Sequence, residues 1–377
     1  MARLESPPLR VWVWAAATLA LVAVAVLLWR GSDAAATSST TAAPADVPPG
    51  PPAGAVSEAW TTEADPLHGG VVAEGRVLVG SPQGVRGLDP LSGEEAWHYT
   101  RENAVLCGAT VTDGVVVAVF RTADRCDEAV ALDAGTGVRA WTRNVNFRPG
   151  VTLGSTDRIV LAATPTGIVT LDPAGGGIRW RYVPPDGCEL LQSAAGDAGV
   201  AVLQRCAGST DPQLRLVDGF DGDLHWARDL PAGGGTPELV GADLPVVVRV
   251  DDEVQLLSAA DGSLLTTLPA EPGAAVRQVA TDPALLVLAA GTLTAVEPGS
   301  ARPLWSTPAT GLPAGPDTAD GTPALPVPTS DGLLHLDPAT GAESGRTAAP
   351  ALPDGAVAAV AGPAVVLALP GEVRAYR

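Results

Sequence analysis

Two patterns of apolar and polar positions divide the chain. The first is an unbroken run. Residues 11–29, VWVWAAATLALVAVAVLLW, contain no charge, and that length approaches the roughly 20 residues a helix needs to cross a bilayer core. The run therefore predicts a transmembrane helix. The second pattern fills most of the chain. Short apolar segments such as RVLVGS (76–81) and RIVLAAT (158–164) are closed off by turn residues, PQG in one case and PTG in the other. They predict β-strands joined by tight turns. Between the two patterns, residues 30–56 hold no periodicity and are dominated by Ser, Thr, Ala and Pro. That stretch predicts an extended linker.

The strand pattern repeats. GLDPLSGEEAW (87–97), ALDAGTGVRAW (131–141), TLDPAGGGIRW (170–180) and LVDGFDGDLHW (216–226) share one spelling. LLSAADGSLLT (256–266), AVEPGSARPLW (295–305) and HLDPATGAESG (335–345) are weaker copies. Asp89, Asp133, Asp172, Asp218, Ser258, Glu297 and Asp337 form an acidic column; Gly93, Gly137, Gly176, Gly222, Gly262, Ala301 and Gly341 stand four residues on. Trp97, Trp141, Trp180, Trp226, Thr266, Trp305 and Gly345 stand eight residues on. Asp-x-x-x-Gly spells a hairpin turn, with Asp capping backbone amides and Gly supplying positive φ. A strand precedes the turn, the Trp strand follows it, and there is room for two more upstream. Four antiparallel strands in about 40 residues is a propeller blade.

The Ala/Val-x-Asp-x-x-x-Gly-x-x-x-Trp spelling resembles the quinoprotein-type propeller repeat, named after pyrroloquinoline quinone. The resemblance covers about residues 57–377 and implies an all-β, eight-bladed propeller in which each Trp docks between neighbouring blades. The copies themselves supply seven blades. Extending the acidic column by 40 residues from Asp337 reaches Arg377, so GEVRAYR (371–377) reads as the third strand of an eighth blade. AVSEAWTTE (55–63) carries Trp60 with no repeat before it and reads as the missing fourth strand. Pairing of these two segments is expected to close the ring. Trp60, Trp97, Trp141, Trp180, Trp226 and Trp305 are then all blade-docking residues.

The expected organisation is a cytoplasmic N-terminus (1–10), a signal-anchor helix (11–29), the linker (30–56) and the propeller (57–377). Arg3 and Arg10 precede the apolar run, while Arg30 is soon followed by Asp33. This bias places the propeller on the extracytoplasmic side of the cell membrane. A cleaved signal peptide ending near Ala34-Ala35-Ala36 is the other reading, but the run exceeds the usual apolar length of about 7–15 residues. The formal charge is −19, and all 23 basic residues are arginine. Such a surface repels phosphate backbones, so nucleic acid is not an expected partner.

The spacing between columns is about 40 residues except at 44 (Asp89 to Asp133) and 46 (Asp172 to Asp218). Cys107 and Cys126 fall in the first of these enlarged blades, Cys188 and Cys206 in the second. Pairing within each blade joins the start of an innermost strand to the loop after the second strand. Of the three connectivities four cysteines allow, 107–126 with 188–206 is expected, in an oxidising compartment. The added loops, RTADRCDE (121–128) and RCAGSTDPQ (205–213), share one face. Stapled loops are pre-ordered, which lowers the entropy cost of binding. Arg121, Asp124, Arg125, Asp127, Glu128 and Asp211 are therefore the candidate partner-binding residues, although the staples also serve if they only stop long loops from fraying.

Nothing in the chain spells a catalytic centre. Quinone-binding members of the resembled family carry an adjacent Cys-Cys disulfide and a Glu-Asn-Asp calcium set; neither is found here. The spaced carboxylates of DGFDGD (218–223) coincide with a repeat turn. His98 and His225 flank blade tryptophans, while His68 and His335 have no partners nearby in sequence. No catalytic residue, cofactor or metal is expected. The chain also resembles the propeller lipoprotein of the outer-membrane β-barrel assembly machinery, with a different anchor. The expected function is a membrane-tethered extracytoplasmic scaffold for a protein or envelope partner. A small-ligand sensor and a quinone-dependent dehydrogenase are the alternatives.

Overall fold

The computed structural model describes residues 9–377 except 123, 232, 234, 316–323 and 351; the expected cytoplasmic residues 1–8 lie outside it. After helix α1 (Leu9–Arg30) and the single turn α2 (Asp33–Ala36) the chain is built almost entirely of strands. They form eight sheets arranged as the blades of a propeller. Blade 2 shows the plan: Val105–Thr112, Val115–Arg121, Cys126–Asp133 and Arg139–Phe147 run antiparallel from the innermost to the outermost strand. Blade 7 departs from it. Three strands (Leu325–Thr329, Gly332–Leu336, Glu343–Ala348) form its sheet among the described residues, and Leu312–Pro313 instead runs parallel to Val357–Ala361 of blade 8.

The ring closes where the two ends of the propeller meet. Glu58–Thr62 is the fourth strand of blade 8 and pairs antiparallel with Glu372–Tyr376, Trp60 opposite Ala375 and Thr62 opposite Val373. Ser57 and Arg377 exchange backbone hydrogen bonds at 3.0 Å in both directions.

Each Trp is held by the turn of the next blade. The indole Nε1 of Trp60, Trp97, Trp141, Trp180, Trp226 and Trp305 donates to the carbonyls of Pro90, Ala134, Pro173, Gly219, Ala259 and Pro338, at 2.8–3.0 Å. The ring lies on the glycine of that turn. A Cβ at Gly137 would sit 2.7 Å from the Trp97 ring, and Gly137 has φ +72°. The column glycine thus meets two requirements at once, left-handed backbone and room for an indole. Two of the exceptions come as a pair: blade 5 offers Thr266 in place of Trp, and the receiving turn in blade 6 carries Ala301 in place of Gly, still at positive φ. Where no indole arrives, only the backbone requirement remains.

The acidic column caps these turns. Asp218 accepts from the amides of Phe220 and Asp221, and Asp337 from those of Ala339 and Thr340. Hydrogen bonds from backbone amides, led by Phe220, hold the Asp218 carboxyl below its usual pKa; the Thr340 hydroxyl and amide do the same for Asp337. A lowered folded-state pKa gives stability that is present above the unfolded value of about 3.9 and lost as pH falls through the folded one. The melting temperature is expected to fall as pH drops below about 4, and less steeply in Asp218→Asn/Asp337→Asn; pH-dependent melting curves check it.

Residues 31–56 are not a free spacer. α2 begins three residues after Arg30, and Asp33 reaches the guanidinium of Arg101 at 3.1 Å. Arg101 is 1 % exposed and also binds Glu128 of blade 2 at 2.8 Å. Burial opposes its charge, but the bond to Glu128 outweighs this and the pKa is raised. Thr37–Ser39 then adds a fifth strand to blade 1, antiparallel to Glu95–Arg101. Beyond it the chain forms a strap. The Ala42 amide donates to Thr136 O (2.9 Å), and Ala43 O accepts from Arg76 (3.0 Å). Val47 lies against the turn glycines Gly75 and Gly362, and Gly54 and Val56 bond to Ala348. Proline-rich backbone is already extended, so laying it down costs little chain entropy.

Replacing Arg101 with Met is expected to cost about 1–3 kcal/mol, less than a fully buried pair because Asp33 stays exposed. It should also release α2 to protease cleavage between residues 31 and 36. Thermal melts and limited proteolysis check both effects.

Candidate functional site

Two faces follow from the strand order. Loops before the first strand and after the second lie on one face; the first hairpin and the Asp-x-x-x-Gly turn lie on the other, called the turn face below. The strands of blades 2 and 4 that carry the cysteines are long: Val105–Thr112 and Val115–Arg121 in one, Cys188–Gly196 and Gly199–Cys206 in the other. Their extra length lifts the loops on the first face above those of neighbouring blades.

Both expected disulfides are present, Cys107–Cys126 and Cys188–Cys206. Cys188 and Cys206 face each other in register. Cys107 sits in a bulge between Leu106 and Gly108 and reaches past the second strand to Cys126 at the start of the third. Each bridge closes a loop of just under 20 residues, worth about 3 kcal/mol in the chain-entropy model.

The six candidate partner residues have different surroundings. Asp127 accepts from the Thr122 amide (3.2 Å) and hydroxyl (2.9 Å), folding the loop onto itself. Glu128 holds the buried Arg101. Arg125 donates to Asn146 at 3.1 Å. Arg121 and Asp124 are exposed, and Asp211 is half-buried. Arg121–Glu128 belongs to blade 2 and Asp211 to blade 4, with blade 3 between them, so the fold puts the two groups on one face without making them one cluster. The sequence did not single out Arg101. It sits on a strand like any polar residue, and its acidic partners are 68 positions before it and 27 after.

Three of the four histidines, His98, His225 and His335, and the spaced carboxylates have structural partners; His68 is exposed. His98 binds Glu95 at 2.6 Å and Ser38 of the added strand at 2.8 Å. His335 meets Thr347 at 2.8 Å. In DGFDGD, Asp218 caps its turn and lies 3.7 Å from His225. Among the described residues no group of three or more His, Cys, Asp or Glu is placed to hold a metal ion.

The family model described as outer membrane protein assembly factor BamB matches residues 51–187 and 165–324. No curated protein matches the sequence. Among solved structures, BamB from Moraxella catarrhalis is 18 % identical, with a TM-score of 0.50 over 85 % of this chain and 99 % of that one. The computationally designed Ika8 protein is 15 % identical, with a TM-score of 0.55 over 85 % and 98 %. At such identities the two structures speak for the fold alone. The family match spans most of the propeller, and the repeat, the docked tryptophans and the closed ring agree with it: the chain belongs to the outer membrane protein assembly factor BamB family of quinoprotein-type repeat propellers.

Proposed function

We propose that this protein is a membrane-tethered, extracytoplasmic scaffold that binds protein partners in the cell envelope. The observation that carries the reading is the junction of anchor and propeller. The most apolar 18-residue stretch of α1 has a mean hydropathy of 2.5, and none of the helix's residues is buried against the propeller. Only two residues, Gly31 and Ser32, separate Arg30 from Asp33, which is fixed to blade 1. Arg30 and Asp33 are therefore about 10 Å apart at most, so a helix lying in a bilayer holds the propeller close to the membrane. Two disulfides suit the outer side, and the name of the family is that of an assembly factor.

Affinity capture from native membranes with the full chain as bait tests the reading. A specific, stoichiometric partner supports it; a bait that returns alone removes it. The stapled loops are one surface on which such a partner would dock. Arg121→Ala/Arg125→Ala/Asp211→Ala, folded and with both disulfides intact, is expected to capture less; undiminished capture removes that surface.

A further inference from the structure

The residue six positions after the acidic column begins the outermost strand of every blade and faces the same partner residue across the hairpin. The eight copies therefore serve as an internal comparison. Blades 7, 8 and 1 place Glu343, Glu58 and Glu95 there, opposite Leu336, Tyr376 and Leu88. Blades 3, 4 and 5 place Ile178, Leu224 and Leu264 there, opposite Leu171, Val217 and Leu257. These three aliphatic side chains are 44, 51 and 50 % exposed, and Phe220, in the turn just before Leu224, is 59 % exposed.

The strap makes the contrast sharper. Between Ala42 and Pro48 it lies on the turn face over blades 1 and 8, from Thr136 at one end to Gly362 at the other. Glutamates therefore stand along the side that the chain itself lies across, and aliphatic residues along the side left open. Solvent alone favours the reverse. Single exposed aliphatics are ordinary, but three at one repeat position on consecutive blades, with glutamate on the three blades opposite and Arg139 and Pro303 on blades 2 and 6 between them, form a pattern.

A cavity of about 250 Å³ opens on the same face between blades 2, 3 and 4. Val115, Pro173, Ala174 and Phe220 give it an apolar wall, and Asp113 lies at its edge; Arg158 and Arg179 also line it, paired with Asp157 at 3.6 Å and Asp172 at 3.3 Å, and Arg179 lies over the Phe220 ring. Asp113, Asp221, Asp223 and Asp261 line this part of the face, and none has an arginine partner among the described residues. The cavity's own cations are thus taken up by Asp157 and Asp172, and carboxylates without an arginine partner stand around the apolar footholds. The strap also shows how this face holds a chain: extended, bonded backbone to turn, with small apolar side chains against turn glycines.

We propose that the open arc of the turn face, blades 3 to 5 with the cavity beside Phe220, docks an extended segment of a partner protein in which aliphatic residues alternate with Lys or Arg. The arc rests on the scaffold reading and names its surface and the chemistry of its partner. Aliphatic side chains of the segment cover Ile178, Leu224 and Leu264, and its cations meet the turn carboxylates.

The test uses the full chain in zwitterionic nanodiscs and a labelled peptide of alternating Leu and Lys, with empty discs subtracted. The variant is Ile178→Glu/Leu224→Glu/Leu264→Glu, and the chain already tolerates glutamate at this position in three blades. Binding is expected to weaken by about tenfold or more, the scale of losing buried anchors. A merely electrostatic contact would tighten, because the variant adds three carboxylates. Unchanged or tighter binding by the variant, or no binding by the wild-type chain, overturns the proposal. Leu224→Glu alone, read the same way, serves if the triple variant melts early. Membrane capture separates the two readings: full capture by a folded variant removes the arc and leaves the scaffold, whereas no capture by the wild-type chain removes both.

Discussion

Deleting residues 371–377 is expected to open the ring and abolish cooperative folding of the propeller. The strand lost, Glu372–Tyr376, is hydrogen-bonded on both sides, to Ala364–Leu369 and to Glu58–Thr62. Val373 and Ala375 are fully buried and Tyr376 nearly so. Losing the Val and Tyr side chains from the core costs about 1.5–3 kcal/mol each, before the two broken ladders are considered. A domain of this kind has roughly 5–15 kcal/mol in total. The deletion also leaves two unpaired edges facing each other across a gap, which invites pairing with other molecules. Size-exclusion chromatography, thermal melts and limited proteolysis should show aggregation, a lost transition and rapid cleavage. A monomeric, protease-resistant product that melts like the intact protein would mean that the ring is held shut by other contacts.

Trp97→Ala is expected to be the most damaging of the blade-column substitutions, at about 3–5 kcal/mol. Trp97 is fully buried within a cluster that joins Leu78 and Val85 of blade 1 to Val116, Phe120 and Leu132 of blade 2. Its Nε1 also satisfies Ala134 O at 2.9 Å, so alanine leaves a cavity and an unpaired carbonyl together. Trp180 and Trp226 are slightly less covered, and Trp60, Trp141 and Trp305 are only half-buried. The drop in melting temperature should follow that order. Equal losses at Trp97 and Trp141 would show that the indoles matter through their hydrogen bonds and not through burial. The loss should leave partner capture by the still-folded fraction intact.

The propeller was legible because its information lies in side chains at fixed spacing. Asp, Gly and Trp each answer a separate physical demand of one turn, so their column survives even where single members change, as at Thr266 and Ala301. Ring closure and both disulfides followed from the same register. The strap was illegible for the opposite reason. Its contacts run mainly through backbone groups of Ala42, Ala43, Gly54 and Val56, and backbone contacts leave no periodic signature. The Leu312–Pro313 segment escaped similarly, since it pairs parallel with a neighbouring blade and carries no turn to mark it. Candidate site residues were read from loop position alone, which does not reveal what each side chain touches. Asp127 and Glu128 look like any rim acids in sequence, and only the fold shows that one closes its own loop and the other holds Arg101. The aliphatic arc was present in the repeat, but only the fold shows that its position is exposed on every blade, whichever residue it carries.

The latch at Arg101 has a mechanical consequence. The polypeptide runs from α1 through α2 and the strap directly into Glu58–Thr62, the strand that seals the ring. Tension on the membrane helix, from lateral drag or from a partner pulling away, would reach that seal if the intervening chain were slack. Instead the pull arrives first at Asp33 and at the ladder of Thr37–Ser39 on blade 1. That ladder lies antiparallel along a strand that is itself built into the ring, so tension there passes into the body of blade 1. The seal stays unstressed for as long as the latch holds. Strain relief of this kind lets one continuous segment serve as both tether and closure.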